Sequence, residues 1–501
     1  MKDTTRMIIA FTVIMVVLFV WQYLTPKKPK PTTAQTTETT QVEPAQPSQA
    51  TVPTQHSQIS IPQKQLETET EAVLENKFIR VVLTNFGGAV KSIYLKKYQA
   101  ELVPSQNLIL QTVFTQDSAL SAWNILHQDD SIVVFQQQYK KTYRLNKDYT
   151  LLLKIEGIKG SIPEYQISYE AGLAMTEANK KDEIKHIALF YRNSIKTSKV
   201  SAHKLKQTTA IDVKWIGLKS KYFTTILSSQ SSSGNVNISP LTDGRIGYTY
   251  KPTTNDIINY TLYFGPLDYD ILKSYKVGWE ALNDLGWTKI FSIAILKFIK
   301  FLYWIFRNYG LAIIVFSIIM KAIFYPLTRM TNKQMVQMQM LQPKMEELKK
   351  KYKGDPQGLN RETMQLYRLY KVNPFSGCLP LVLQMPIFWA LYSVLQKTIE
   401  LRRGDFVFWL QDLSLKDPYY ILPILMGVSF LIQNFLTSAD KRNMALLIFM
   451  PIFLTVIFLN FPSGLQLYWL IFNLLSIGES MIARGGIKWK IQKTSVQMPK
   501  T

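Results

Sequence analysis

Cysteine, histidine and nucleotide-binding motifs are scarce or missing in this chain of 501 residues. The single cysteine, Cys378, excludes an intramolecular disulfide and a cysteine-rich zinc site. All four histidines precede residue 204, so chemistry in the later, most apolar part of the chain has no imidazole. No Gly-Lys dipeptide occurs, which excludes a Walker A phosphate loop. We therefore expect no cofactor, no metal and no enzymatic activity.

Charge is also sparse and unevenly distributed. Only 19% of the residues are charged and 47% are apolar. This composition is too hydrophobic for a simple soluble enzyme of this length. Lys and Arg outnumber Asp and Glu by 58 to 35, for a formal net charge of +23. The excess of basic residues near apolar segments favours anionic lipid or ribosomal RNA as a binding partner. No feature of the sequence indicates DNA binding.

The first 71 residues predict an anchor followed by a tether. Residues 7–24 form an uncharged apolar run long enough to cross a bilayer, so we predict a signal-anchor transmembrane helix at 1–25. A cleaved signal peptide is the alternative, but no small-x-small cleavage site follows the run. Residues 26–71 are rich in Pro, Thr and Gln and predict a disordered tether.

Residues 72–287 have the composition of a globular β domain. Two runs alternate apolar with other residues at the period of a strand, one through Tyr149, Leu151, Leu153 and Ile155, the other through Ile258, Tyr260, Leu262 and Phe264. Strands without intervening helical patterns predict an all-β sandwich. Scattered His and carboxylate residues in this domain could belong to a sugar-processing enzyme. None of them forms a pair at a spacing typical of a catalytic motif, which favours the interpretation that they are solvated surface residues.

An amphipathic helix is predicted next, at 288–307. Its lysines, Lys289, Lys297 and Lys300, fall on one helical face, which is typical of a helix lying in the membrane interface. A membrane-spanning helix is the alternative, although two lysines near its middle would each cost about 2.5–3.5 kcal/mol on an insertion scale.

A core at 308–484 follows, in which five apolar segments predict membrane spans. Together with the anchor they make six transmembrane helices, in a polytopic α-helical membrane protein with an exported β domain. Basic residues concentrate at 329–377, at 438–444 and in the tail at 485–501, which places these parts in the cytoplasm. Both termini are then cytoplasmic and the β domain is exported, and the absence of cysteine in that domain is compatible with a bacterial periplasm without demanding it. The five segments are 309–328, 379–399, 419–437, 445–461 and 464–483.

Lys321 is the one charge in the segment 309–328, about 18 Å along a helix from Tyr309. Either its stem reaches the headgroups, or it is a lone cation in a water-filled cavity, where an ionisable group marks a functional site. Polar residues elsewhere in the spans favour the cavity, although each could instead form an interhelical hydrogen bond. The groove residues that we predict are Lys321, Ser317, Gln384, Gln433 and Asn473.

The interval 329–377 predicts a basic helical hairpin in the cytoplasm. Apolar residues recur in it at helical spacing from Met335 to Tyr352 and continue on a second helix, and its ten basic residues include three consecutive lysines. The apolar stripe is either the packing face of the hairpin or, because methionine adapts to varied partners, a surface that captures apolar peptides. The hairpin residues that we predict to take part are Met335, Met338, Met345, Lys349, Lys350 and Lys351.

Several ordered motifs are spaced across 307–470. They include Tyr325-Pro326-Leu327-Thr328, Leu341-Gln342-Pro343-Lys344, Gly377-Cys378-Leu379-Pro380, Gln384-Met385-Pro386-Ile387-Phe388, Asp417-Pro418-Tyr419-Tyr420 and Phe461-Pro462-Ser463-Gly464-Leu465. Together they resemble the YidC/Oxa/Alb family of membrane protein insertases, in the Gram-negative form, and the resemblance implies a bacterial inner membrane and a large periplasmic domain.

The resemblance implies a hydrophilic groove, open to the cytoplasm and to lipid, that passes the short tails of nascent membrane proteins. It implies the Sec translocon and the ribosome as partners. Lys321 occupies the position where the family usually has arginine. Lysine keeps the positive charge but cannot donate the two parallel hydrogen bonds of a guanidinium group. Client-contact positions of the family fall on Phe388, Met426, Tyr468 and Trp469.

Three other classes compete with an insertase. A secondary transporter would show paired intramembrane acids or inverted repeats, whereas the spans contain only Glu479, near a helix end. An intramembrane hydrolase would need a Ser-His or paired-Asp arrangement. A purely structural periplasmic scaffold would leave Lys321 and the basic hairpin without a role.

Overall fold

A computed structural model describes residues 69–114, 122–137, 139–158, 162, 164–230, 232–254, 258–373, 379–402, 404, 406–437 and 444–494. The predicted anchor at 1–25, nearly all of the tether at 26–71, Cys378, the loop 438–443 and the tail beyond residue 494 lie outside the described residues.

Seventeen strands form the β domain. They are β1 Glu71–Glu75, β2 Ile79–Thr84, β3 Ala89–Leu95, β4 Ala100–Glu101, β5 Gln111–Phe114, β6 Asn124–Gln128, β7 Ile132–Gln136, β8 Tyr139–Leu145, β9 Thr150–Gly157, β10 Tyr165–Tyr169, β11 Ala188–Asn193, β12 Thr197–Ser201, β13 Thr208–Lys219, β14 Phe223–Ser229, β15 Gly234–Pro240, β16 Ile246–Pro252 and β17 Ile258–Pro266. Two short helices, α1 at Lys180–Ile184 and α2 at Tyr269–Ser274, lie in the same region.

The strands make two antiparallel sheets. The smaller has the order β1-β2-β3-β4, and the larger runs β5-β10-β16-β15-β13-β14-β17-β9-β8-β7-β6, with β11 and β12 attached beside β13. One apolar core of this domain draws residues from both sheets, among them Leu74 and Val81 from the smaller and Leu151 and Tyr260 from the larger. The predicted all-β sandwich is therefore confirmed.

The two runs of alternating residues form neighbouring strands. In β9 and β17, Leu151 lies opposite Leu262, Leu153 opposite Tyr260, and Ile155 opposite Ile258. All six side chains are buried. Because successive strand residues face opposite sides of a sheet, the period-2 pattern identified the inward face correctly.

Eight helices follow the β domain in the described part of the chain. They are α3 Lys289–Phe306, α4 Tyr309–Met340, α5 Gln342–Lys351, α6 Pro356–Leu369, α7 Leu379–Lys397, α8 Ile421–Thr437, α9 Met444–Phe458 and α10 Ser463–Thr494. Each of the five apolar segments coincides with one of them.

Two of these helices, α4 and α10, are long and apolar enough to cross a membrane, whereas the apolar parts of α8 and α9 are shorter. The count of six spans therefore stays a prediction. Helices α5 and α6 form a separate compact unit. A turn separates them, and the Asp355 side chain caps the start of α6.

The apolar stripe of the predicted hairpin is not on a single helix. Helix α4 ends at Met340 and α5 begins at Gln342, so Met335 and Met338 lie on α4 while Met345 lies on α5. The three consecutive lysines are in the last turn of α5. The continuous stripe is therefore corrected to two shorter faces, and the lysines accompany only the second. They are Lys349, Lys350 and Lys351.

Helix α3 has one face packed in the helical core. Its buried residues are Ser292, Ile295, Leu296, Ile299 and Leu302. Lys289 and Lys297 are exposed, whereas Lys300 is half-buried and engaged in ion pairs. It pairs with Asp270 at 3.2 Å, with Asp268 at 3.5 Å and with Glu400. An interfacial position for α3 stays a prediction.

The segment between α7 and α8 joins the β domain to the helical core. Arg402 pairs with Glu177 at 2.8 Å and lies over the ring of Phe223, 5.2 Å from its centroid. Tyr222 donates a hydrogen bond to Ser414 at 3.1 Å. Since Arg402 is almost fully buried, breaking its pair would leave an uncompensated charge, which costs about 3–5 kcal/mol in proteins.

His186 lies close to this junction, within 4.0 Å of Asp182, which also pairs with Lys221 at 3.1 Å. Burial lowers the pKa of His186 to about 3, with Lys219, Lys221 and Lys397 adding to the shift and Asp182 opposing it. The imidazole is therefore neutral in the folded chain at neutral pH.

Folding stability should consequently fall as the pH drops from about 6.5 towards 3, because the unfolded chain then binds a proton on His186 that the folded chain excludes. Between pH 7 and pH 5 the loss should be roughly 2 kcal/mol of unfolding free energy. We expect His186→Gln to flatten this dependence in thermal unfolding of the detergent-solubilised protein. The exposed His127→Gln is the control, and equal pH dependence in both variants would contradict the assignment.

Candidate functional site

The candidate site lies between α4 and α10, within otherwise apolar helices. Helix α4 begins where the Asn308 side chain accepts a hydrogen bond from the Leu311 N–H at 3.0 Å, and an uncharged run carries it to Lys321. On α10, Phe472, Ser476 and Glu479 recur at spacings of four and three, which places them on one helical face. These two stripes contact each other.

Lys321 and Glu479 form a buried ion pair. The Lys321 Nζ is 2.7 Å from Glu479 Oε2, and the two side chains are only 10% and 9% exposed. The ammonium also donates to Ser476 Oγ at 2.8 Å and lies 4.8 Å from the centroid of the Phe472 ring. The Thr328 hydroxyl, two turns further along α4, lies 2.8 and 2.9 Å from the two carboxylate oxygens of Glu479. Lys321 and Glu479 thus share one hydrogen-bonded cluster.

The prediction of a lone cation is therefore wrong. Lys321 has a carboxylate partner, and the pair is neutral as a whole. The sequence carried a signal for it, since Glu479 is the sole acidic residue in the five apolar segments. A charge in such a segment is costly unless it is paired. The position of Glu479 near a helix end hid the pairing, because its partner lies on a helix far away in the sequence.

Other predicted groove residues are also buried and hydrogen-bonded. Ser317 donates to the Ile313 carbonyl of its own helix at 2.7 Å. Gln384 donates to the Tyr468 hydroxyl at 3.1 Å, and Asn473 donates to Ser429 Oγ at 3.2 Å. Gln433 on α8 is half-buried. The bonds of Gln384 and Asn473 join α7 and α8 to α10, as the interhelical alternative expects.

The predicted client-contact residues lie in an aromatic cluster. The Phe388 ring is 5.5 Å from that of Trp469 and 5.8 Å from that of Phe458, and Tyr468 lies 5.8 Å from Phe316. Met426 is 1% exposed and belongs to the same apolar core. The structure therefore groups these residues inside the helical core.

The predicted hairpin residues are more exposed than the groove residues. Met335 and Met338 on α4 and Met345 on α5 are half-buried. Lys344 on α5 contacts the Tyr370 hydroxyl just beyond α6. Within the described residues, no group of three or more His, Cys, Asp or Glu side chains is arranged to hold a metal ion.

The three lysines at the end of α5 are all exposed. They are Lys349, Lys350 and Lys351. Lys351 lies 5.6 Å from the ring centroid of the neighbouring Tyr352. A role for the three lysines in client binding stays a prediction.

Comparison with known proteins relates both parts of the chain to one family. Residues 301–490 match the model of the 60Kd inner membrane protein, and residues 130–298 match that of the YidC periplasmic domain. The membrane protein insertase YidC of Syntrophus aciditrophicus is 34% identical over 466 residues, which cover 84% of this chain and 86% of that protein. The YidC of Geobacter metallireducens is 43% identical over 273 residues, or 52% of this chain and 51% of that protein.

A crystal structure of an active YidC insertase with its first transmembrane domain resolved aligns at a TM-score of 0.42 and 20% identity, covering 82% of this chain and 92% of that one.

The fold and the matches define a membrane protein with a helical core and a periplasmic β-sandwich domain. The chain belongs to the YidC family of membrane protein insertases, as its 34% identity to the Syntrophus protein over 84% of this chain shows. The resemblance read from the sequence motifs is thereby confirmed.

The Gln384–Tyr468 hydrogen bond should contribute measurably to stability, because Tyr468 is fully buried. Tyr468→Phe leaves the Gln384 amide without this acceptor, and we expect a loss of about 1 kcal/mol. The measurement is thermal unfolding in detergent. The control is Tyr419→Phe, at a side chain that is 66% exposed. A Tyr468→Phe protein as stable as this control would show that the bond contributes nothing.

Proposed function

We propose that this protein inserts newly made proteins into the bacterial inner membrane and helps them fold, either alone or with the Sec translocon. The observation that carries the proposal is the polar cluster around Lys321, buried between two helices that are long and apolar enough to span a bilayer. Such groups are expensive in lipid and are usually retained for function. Similarity over 84% of this chain to a protein named as an insertase supports the same conclusion.

The polar residues that border this cluster would form a hydrophilic groove when the helices separate. Ser317, Gln384 and Asn473 are each held by one hydrogen bond that water or a client backbone could replace. A groove of this kind shortens the apolar barrier to a hydrophilic tail. The client's hydrophobic segment then partitions into lipid, which supplies the driving force without nucleotide or metal.

Lys321 would attract acidic residues in the translocating tail. Opposite charges about 4 Å apart attract by about 4 kcal/mol at an effective dielectric near 20, so a tail carboxylate that reaches Lys321 competes with Glu479 for the ammonium without being trapped there. Phe388, Met426, Tyr468 and Trp469 would contact the apolar segment of the client. These roles are proposals for residues that the structure places in one helical core.

The cytoplasmic surfaces would receive clients before insertion. The half-buried methionines of α4 and that of α5 each offer adaptable apolar side chains, and the exposed lysines at the end of α5 offer positive charge. The basic tail at 485–501 would add affinity for anionic lipids or for the ribosome. The hairpin residues meant are Met335, Met338, Met345, Lys349, Lys350 and Lys351.

Both termini would be cytoplasmic. The predicted topology places the interval 400–418 on the periplasmic side, and the Arg402–Glu177 and Tyr222–Ser414 contacts of this interval with the β domain support that side. A secondary transporter is the alternative. A transporter would be expected to have paired acidic residues in its spans, whereas the apolar segments of this chain contain only one acidic residue, Glu479.

The test of the proposal is insertion by the purified full-length protein in liposomes, with no ATP and no Sec components. A short single-span client with an acidic amino-terminal tail is added, and protease protection of the tail is scored. Protection that depends on this protein supports an autonomous insertase. Protection no greater than in empty liposomes, for a client that another insertase handles, would contradict autonomous insertion and would favour a Sec-dependent role or the transporter alternative.

In the same assay, Lys321→Ala should impair clients with acidic tails more than clients with neutral tails. The variant removes the attracting charge and leaves the Glu479 carboxylate, which repels an acidic tail. We expect a loss of about tenfold for acidic tails, equivalent to roughly 1.4 kcal/mol.

The control for a folding defect is Lys321→Ala combined with Glu479→Gln, which removes both charges of the pair. Equal losses for acidic and neutral tails in the single variant would contradict the electrostatic role of Lys321.

A further inference from the structure

We propose that Glu479 is a built-in competitor for the acidic residues of client tails, so that the Lys321–Glu479 pair sets how acidic a tail must be to enter the groove. The inference rests on the proposed insertase function and adds a selectivity residue to it. It follows from the contacts of both charges rather than from Lys321 alone.

The Lys321 ammonium is already engaged on several sides. It has three N–H donors, of which one is directed to Glu479 at 2.7 Å and another to Ser476 at 2.8 Å. The Phe472 ring lies against the same group, 4.8 Å away. With a side chain that is only 10% exposed, Lys321 has little room for a further acceptor. A client carboxylate must therefore take the place of one of these neighbours, and Glu479 is the one with the same chemistry.

The pairing also weakens attraction at a distance. A lone cation attracts a carboxylate at every approach distance, whereas a cation 2.7 Å from an anion is a short dipole whose field falls off much faster. A single acidic residue on a tail thus gains little until it touches the ammonium. A tail with two acidic residues competes better, because displacement of either one leaves the other available to rebind.

Thr328 makes the exchange feasible. Its hydroxyl lies within hydrogen-bonding distance of both Glu479 oxygens, at 2.8 and 2.9 Å, so the displaced carboxylate keeps a donor. Thr328 is itself buried, on the same helix as Lys321, two turns away. Buried ion pairs are often close to break-even in free energy, since desolvation offsets much of the attraction. A pair of this kind can exchange partners.

The alternative hypothesis, that the Lys321–Glu479 pair has only a structural role, predicts a different outcome. If the ion pair only fastened α4 to α10, neutralising Glu479 would loosen the helices and impair all clients alike. If Glu479 competes with clients, neutralising it should favour acidic tails selectively. The informative quantity is therefore the ratio of insertion of a one-acid tail to that of the matched neutral tail.

We would measure this ratio for the full-length protein in liposomes, with tails that carry zero, one or two acidic residues. For Glu479→Gln the ratio should rise about threefold or more, because Lys321 loses its competing charge while the amide can still accept a hydrogen bond. The advantage of two-acid over one-acid tails should shrink. Glu347→Gln, the same substitution at an exposed position on α5, is the matched control and should leave the ratio unchanged.

A second variant shifts the ratio the other way. Thr328→Val keeps the shape of the side chain but removes the hydroxyl, so Glu479 depends more on Lys321 and is harder to displace. The one-acid to neutral ratio should then fall below that of the wild type. This decrease in the ratio would support competition by Glu479 even if the Glu479→Gln variant does not fold.

Two results would overturn the inference. A wild-type protein that inserts clients, with a ratio that neither variant changes or that both change in the same direction, would remove the role of Glu479 and leave the proposed function intact. A wild-type protein that inserts no client, either alone or after Sec components are added, would remove the proposed function and this role with it.

Discussion

Two opposite charges, buried between the helices α4 and α10, constrain the candidate site more than any other interaction. Lys321 and Glu479 each occupy an apolar helix in which a single charge would be strongly unfavourable. Their pairing, with Ser476 and Thr328 as hydrogen-bonding neighbours, makes both positions tolerable. The pairing also fixes the relative position of two helices that are far apart in the sequence. The remaining polar residues, Gln384 and Asn473, extend the connections from α10 to α7 and α8.

The periplasmic domain is joined to this core by charges of its own. Arg402 and Glu400 follow α7 and pair with Glu177 and with Lys300, respectively, and Lys300 also contacts the acids that begin α2. Lys397 adds a hydrogen bond to the Asp284 carbonyl at 2.6 Å. The segment after α7 therefore contacts both the β sandwich and α3. The same helix carries Gln384 and Phe388 in its earlier turns, so α7 connects the periplasmic junction to the candidate site.

Local patterns in the sequence predicted the elements better than their contacts. The alternation in β9 and β17 and the apolar runs of the five helices identified the right segments, because side-chain periodicity reflects the face that each element buries. The contacts of Lys300 and Glu479 were not predictable in this way, since each partner lies on an element distant in sequence. Of the candidate site, the polar residue types and the presence of a charge at Lys321 within an apolar helix could be read from the sequence. Its pairing with Glu479 depends on how α4 and α10 pack, which no local pattern encodes.

The most direct test of the account is whether Lys321 and Glu479 stabilise each other in the folded protein. Thermal unfolding in detergent would be compared for Lys321→Glu, Glu479→Lys and the double variant that exchanges the two charges. The account predicts that each single change destabilises the protein, because like charges are then buried together, and that the exchange restores much of the loss. A double variant as unstable as the sum of the two single changes would contradict the pairing on which the site is built.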